Sequence, residues 1–379
     1  MRGQDLEVLD LSGESRERGR IHGEALRERI HDAVATREGI IAEETGVPVS
    51  DYRREFLRHT NFLPAIERWT PELLNEVHGI SEGAALDFDR VYAYQLIDEE
   101  WLYRRDRGIT PPSGSDLRCS TIGIDRTRDQ PTLVAPNLDI EHWRDGSQVV
   151  LRIRQPETDR EIYSYSFAGL IILAGLNSKG VGVCVNALMG LPHGPTGLPV
   201  PFAIRGALER NSMAEAISFL HEIDHATGQN YMIGDSWRAR SVECSSKSKT
   251  EYEWRRGFGR VCHTNHPLAL EEADRSEGGL GQWTAEERRR RNENTVVRLG
   301  SLESRLEDAD ASIDRCEVKA ILSSHDDPDN PVCRHGDGPT ARSMIGVTLG
   351  SLIYELSEAP TFHAAPGPAC ETEYRTFRF

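Results

Sequence analysis

The stretch "TPPSGSDLRCSTIGID", Thr110 to Asp125, changes character at Cys119. Ahead of the cysteine the chain is rich in Pro, Gly and Ser, the residues of exposed turns; behind it, apolar positions alternate at the period of a strand. Upstream, from Ser15 to about Glu100, apolar residues in "IHGEALRERIHDAVA" and "PAIERWTPELLNEVHGISEGAA" recur with helical spacing. Downstream, "STIGID", "TLVAPNLD", "QVVLRIRQ", "EIYSYSFAG" and "GVGVCVNAL" follow as strands joined by short turns. Such links predict antiparallel pairing, because a parallel neighbour needs a longer crossover. Helices at about Phe202 to Glu209 and Met213 to Ile223 come next, the second with Ser212 and Glu215 as its capping pair. "NYMIGDS", "ARSVECSS" and "EYEWRR" read as further strands, Thr284 to Leu306 and Asp314 to Ser323 as helices, and "RSMIGVTLG" and "SLIYELSEA" as two closing strands. This order predicts an α+β chain with helices layered against antiparallel sheet.

Composition excludes several functions. The 379 residues suffice for a substantial core, with 38% hydrophobic and 28% charged residues. The longest apolar run, "LIILAGL", is far too short to span a bilayer, and the charged N-terminus does not read as an export signal. The expected location is therefore the cytoplasm. A net charge of −16 argues against nucleic-acid binding, which relies on cationic contacts to phosphates. The basic run "EERRRRNE", Glu286 to Glu293, is bracketed by acids and reads as a solvated helix face. Seven cysteines without a CxxC pair disfavour both a disulfide framework and a structural zinc site. No metal is expected: His263 and His266 lack a third ligand nearby. "HDDPDNPVCRHGDG", His325 to Gly338, lacks the residue order of a calcium loop and reads as solvated.

Cys119 stands where a nucleophile could be made without a histidine. If the bond before it is cut, the new α-amine, with an ordinary pKa of about 7.7 to 8.0, can take the thiol proton near neutral pH. Three readings stay open on residues alone. One is this amine-activated nucleophile. A second is a papain-like cysteine and histidine hydrolase drawing on His142, His193 or His335; that arrangement usually starts a helix at the cysteine. The third is an unprocessed, catalytically silent binding or scaffold protein.

The motifs "CSTIGID", "NLD" at Asn137 to Asp139, "AGLNSKGVGVCVNAL", "TGLPVPFAIRGALE", "HTNH" at His263 to His266 and "CR" at Cys333 and Arg334 occur in an order that resembles the acyl-coenzyme A:6-aminopenicillanic acid acyltransferase family of N-terminal nucleophile hydrolases. "ESRERGRIHGEALRERI" and "GISEGAALDFDRVYAYQLIDE" resemble its pro-segment. The resemblance implies a four-layer αββα sandwich, with residues 1–118 as a helical pro-segment or small chain and 119–379 as the catalytic domain. It implies Cys119 as nucleophile, Asp139 as a supporting acid, Asn265 as an oxyanion donor and Arg334 beside the centre. Cleavage would fall between Arg118 and Cys119, where the family usually has glycine before the nucleophile. The expected enzyme is an amidohydrolase or acyltransferase acting on a small N-acyl amide, amine or acyl thioester through a Cys119 thioester. No cofactor is implied, and acyl-coenzyme A is a co-substrate only if the reaction is acyl transfer and not hydrolysis. Neither a nucleic acid nor a membrane partner is expected, and the sequence specifies no oligomeric state.

Overall fold

A computed structural model describes residues 6–109, 118–254, 258–270, 285–309, 312–336 and 346–379, with backbone alone at 118 and 285–292. The turn-rich Thr110 to Leu117, the end of "EYEWRR", the start of "RSMIGVTLG" and all but the last side chain of the basic run lie outside the described residues.

Ahead of Cys119 the described residues form strand β1 (Glu7–Ser12) and helices α1 (Ser15–Ala25), α2 (Arg27–Thr45), α3 (Val49–His59), α4 (Leu63–Trp69), α5 (Pro71–Ala84), α6 (Phe88–Gln95) and α7 (Ile97–Asp106). α1 lies directly on α5 because both carry glycines at the crossing. A Cβ on Gly19 would stand 2.0 Å from the Glu76 carbonyl oxygen, and one on Gly79 would stand 2.0 Å from that of Arg16. Side chains at these positions would force the helix axes apart.

From Cys119 onward come β2 (Arg118–Ile124), β3 (Thr132–Glu141), β4 (Gln148–Gln155), β5 (Arg160–Phe167), β6 (Ala174–Asn177), β7 (Gly182–Ala187), α8 (Val200–Leu208), α9 (Met213–Glu222), β8 (Gln229–Gly234), β9 (Ala239–Cys244), β10 (Lys249–Tyr252) and β11 (Arg260–His263). The chain ends in α10 (Ala285–Asp308), α11 (Arg315–Leu322), β12 (Gly346–Leu356), β13 (Thr361–Ala365) and β14 (Arg375–Arg378). α9 opens as expected, with Ser212 Oγ accepting from the Glu215 amide at 3.2 Å.

The strands make one sheet in the order β1-β4-β5-β6-β7-β8-β9-β10 and another in the order β11-β2-β3-β12-β13-β14. Every pairing is antiparallel except β1 with β4. β2 and β3 pack face to face on β7 and β8 of the other sheet. α8 covers β6 and β7, while α10 and α11 cover the outer face of the second sheet. The architecture is therefore the expected four-layer αββα sandwich.

Several strand expectations change, and the strand read at "EYEWRR" lies earlier, as β10. "RSMIGVTLG" and "SLIYELSEA" meet in a single strand, β12, whose register shifts between Thr348 and Gly350. Gly350 marks no turn: it lies under the Tyr165 ring, where a Cβ would come within 2.7 Å of Cε1. β1, β6, β11, β13 and β14 are additions, and the parallel pairing of β1 is feasible because the long segment between it and β4, helices α1 to α7 included, supplies the crossover.

All of β3 is buried, including Asn137, Asp139 and Glu141. Buried polar groups are tolerable only when bonded. Asn137 Nδ2 donates to the carbonyls of Leu322 at 2.8 Å and Val332 at 3.0 Å, and Asn137 Oδ1 accepts from Ser351 Oγ at 2.6 Å. The strand that faces Cys119 is thus tied into both the helical layer and β12.

Candidate active site

Cys119 is the second residue of β2, opposite Leu138, with Arg118 opposite Asp139. Its side chain is buried. Burial, joined by the charge of Asp139, pushes the thiol up to about 12, against the Asp139 backbone N–H and the Arg298 cation, which favour the thiolate. In the uncut chain the thiol is therefore neutral at pH 7. No histidine ring hydrogen-bonds it among the described residues; His193 bonds Asp106 at 2.7 Å, and His263 bonds Glu243 at 2.8 Å.

The backbone of Cys119 is held on both sides. Its amide donates to Asn265 Oδ1 at 2.8 Å. Its carbonyl accepts from Arg298 Nη1 at 2.8 Å and from Asn186 Nδ2 at 3.1 Å. Arg298 also reaches Ser120 Oγ and Asn265 Oδ1, each at 2.9 Å. Two donors on one oxygen set the Asn265 amide orientation; its Nδ2 donates to the Ala187 carbonyl at 3.1 Å. The turn that carries Asn265 is fixed by Glu243, which takes the amides of Leu268, Ala269 and Leu270 as well as the His263 ring.

Asp139 Oδ1 accepts from Thr348 Oγ1 at 2.7 Å. Thr348 Oγ1 in turn accepts from the Arg334 amide at 2.9 Å, so Arg334 joins the site through its backbone and Thr348. Cys119, Asp139 and Asn265 thus converge directly, and Arg334 is linked to them by one intervening residue.

Cys119 opens onto a cleft of about 630 Å³, its mouth included. Leu138, Ile140, Ile172, Val185 and Ile204 form apolar wall, while Asp98, Glu99 and Gln229 add polar groups. Both acids belong to α7. Burial pushes Asp98 up to about 6, with Gln229 Nε2 donating to it at 2.7 Å. Burial, with the Asp98 charge adding to it, pushes Glu99 up to about 8. Glu99 Oε1 takes the Val200 amide at 3.0 Å, and Oε2 has no hydrogen-bond partner among the described residues.

Sequence reasoning missed Arg298, Asn186, Asp98 and Glu99. Asn186 stood inside the quoted "GVGVCVNAL", where a polar residue in a buried strand was an available signal. Arg298 was hidden in a long charged helix, and the acids end "GISEGAALDFDRVYAYQLIDE", read as pro-segment and not as part of the site.

The model of the acyl-coenzyme A:6-aminopenicillanic acid acyl-transferase family matches residues 141–358. The chain is 29% identical over 269 residues, 69% of each chain, to an acyl-coenzyme A:6-aminopenicillanic-acid-acyltransferase 40 kDa form from Emericella nidulans. Among solved structures it is similar to two variants of a conjugated bile acid hydrolase from Clostridium perfringens. The first has 17% identity and a TM-score of 0.42 over 68% of this chain and 97% of that one. The second has 16% identity and a TM-score of 0.41 over 69% and 97%.

Proposed function

Starting from a chain that belongs to the acyl-coenzyme A:6-aminopenicillanic acid acyl-transferase family, we propose a self-cleaving cysteine amidohydrolase or acyltransferase for small N-acyl amides or acyl thioesters. The observation that carries this reading is the Cys119 amide bonded to Asn265 Oδ1 at 2.8 Å while the thiol of the same residue lines the cleft. A terminal α-amine formed at that atom would inherit the Asn265 acceptor.

Cleavage begins when Cys119 Sγ attacks the Arg118 carbonyl. The C–N bond breaks as the acyl group moves to sulfur and the nitrogen becomes the Cys119 α-amine. Water then hydrolyses that thioester, releasing the Arg118 carboxylate and restoring the thiol. With residues 1–118 retained, α7 still contributes Asp98 and Glu99 to the cleft, so the two chains remain associated.

In turnover the α-amine accepts the thiol proton and Sγ attacks the substrate carbonyl. The leaving amine or thiolate takes the proton, and the acyl group stays on Cys119 until water or an amine removes it. The Asn265 side chain stabilises the developing oxyanion with its remaining N–H. Loss of such a donor costs about 2.7 to 4 kcal/mol of barrier. The apolar wall suits an aliphatic or aromatic acyl group, and the protonated Glu99 carboxyl offers a hydrogen bond to its polar end.

The test is a screen of N-acyl amides with and without acyl-coenzyme A, run on the parent and on Cys119→Ser. Hydrolysis that needs no amine acceptor assigns the hydrolase, and product formed only with an amine acceptor assigns the transferase. Undiminished turnover in a Cys119→Ala control would reject both.

A further inference from the structure

Four metal-ligand side chains from two separated segments meet on the outer side of the second sheet: His325, Cys333 and His335 after α11, and Cys370 after β13. Their donor atoms all lie within 4.8 Å of one another. The two sulfurs are 3.6 Å apart, and the two Nε2 atoms are 3.1 Å apart. His335 Nε2 lies 3.2 Å from Cys370 Sγ and 4.0 Å from Cys333 Sγ.

These four of the six separations come close to the edges of one tetrahedral coordination sphere. With Zn–S near 2.3 Å and Zn–N near 2.0 to 2.1 Å, the edges of a regular tetrahedron come to about 3.8 Å for S···S, about 3.3 Å for N···N and about 3.5 Å for S···N. We propose that His325, Cys333, His335 and Cys370 bind a structural Zn²⁺ ion. Two sulfurs and two imidazoles in this geometry select zinc over the oxygen-seeking cations.

The surroundings supply further support. The His335 Nδ1 lies 3.2 Å from Glu371 Oε1, which holds the proton on Nδ1 and turns the Nε2 lone pair toward the cluster. The Cys370 backbone N–H donates to Cys333 Sγ, which fixes the two cysteines against each other. Cys333 is buried in the smaller of the two large apolar clusters while Cys370 is exposed, so the ion has a firm base and an entry route. Binding replaces two thiol protons: Zn²⁺ joins two thiolates and two neutral imidazoles, the net site charge is zero, and two protons leave to solvent. The ion would clamp the His325–Gly336 loop to the turn after β13. It does not depend on Cys119 being a nucleophile.

The experiment uses the full-length chain, purified without a metal-affinity tag. Elemental analysis should give about one zinc per chain, and Zn²⁺ added to chelator-stripped protein should release about two protons per ion. Cobalt substitution should give intense tetrahedral visible bands and thiolate charge transfer. Cys333→Ser combined with Cys370→Ser should lose the zinc, and the exposed Cys316→Ser should retain it. If the double variant fails to fold, the cobalt spectrum of the parent chain decides. Less than a tenth of an equivalent of zinc after reconstitution, a cobalt spectrum without charge transfer, or a Cys333–Cys370 disulfide in the intact mass would each overturn the proposal.

Discussion

Two groups of buried acids in the helical segment teach opposite lessons. On α5, Glu76 is wholly buried yet met by Arg205 at 3.0 and 3.3 Å and by Arg18 at 3.3 Å. Burial alone would raise its pKa, but the two guanidiniums outweigh it and hold the carboxyl below its ordinary value. On α7, Glu99 is buried and Asp98 half-buried, and neither has a salt bridge among the described residues; burial pushes Asp98 up to about 6 and Glu99 up to about 8. The first group ties α1, α5 and α8 together. The second costs stability and faces the cleft that Cys119 lines, the pattern expected where a site holds an acid protonated for use.

The contrast is broken most severely at the thiol. Cys119→Ala should reduce turnover by on the order of 10³-fold or more while changing stability by about 1 kcal/mol or less, read by steady-state kinetics beside denaturant melts. Arg205→Met should do the reverse. With Glu76 left short of a partner, unfolding free energy should fall by about 3 to 5 kcal/mol, while kcat of the folded fraction stays near the parent value. Asn265→Ala should lower kcat by about 10²- to 10³-fold with little loss of stability, provided kinetics are compared on fully cleaved protein.

The smallest effect, and the sharpest separation, lies in pH. Glu99 has an ordinary value of 4.5 and sits near 8 when folded, so between these values the folded chain holds a proton that the unfolded chain has lost. Its contribution to stability falls as pH rises through that window. Asp98 acts in the same direction from 3.8 to about 6. Glu76 is opposite: its folded value is lowered, and its contribution is lost as pH falls below 4.5. Glu99→Gln should flatten the decline in melting temperature between pH 4.5 and about 8 and leave the limb below 4.5 unchanged. Loss of the acid limb instead would mean the two groups have been assigned the wrong roles.

Much of this arrangement was legible before any coordinates. The period-two pattern after Cys119 announced β2 to β5 and β7, though not the short β6, and Ser212 announced the start of α9, because local alternation and capping are written in neighbouring residues. The place of Cys119 at the start of β2 was legible from the boundary it occupies. What could not be read were pairings set by distant parts of the chain. Gly350 looked like a break until Tyr165 was seen above it. Arg298 looked like one more charge on a helix, although three of its contacts converge on Cys119, Ser120 and Asn265. His325, Cys333 and His335 read as a solvated loop because Cys370, which completes the group, lies far along the sequence. Spacing rules that weigh against zinc count ligands along the chain, whereas the sheet brings them together across it.

The central claim is that Cys119 becomes a chain terminus before it becomes a nucleophile. Intact mass spectrometry of the purified, denatured protein, joined to N-terminal sequencing and an activity assay of the same sample, tests it directly. The account predicts two chains, residues 1–118 and one beginning at Cys119, with the Cys119→Ala protein remaining whole. A fully active sample consisting of a single uncut 42.5 kDa chain would contradict it.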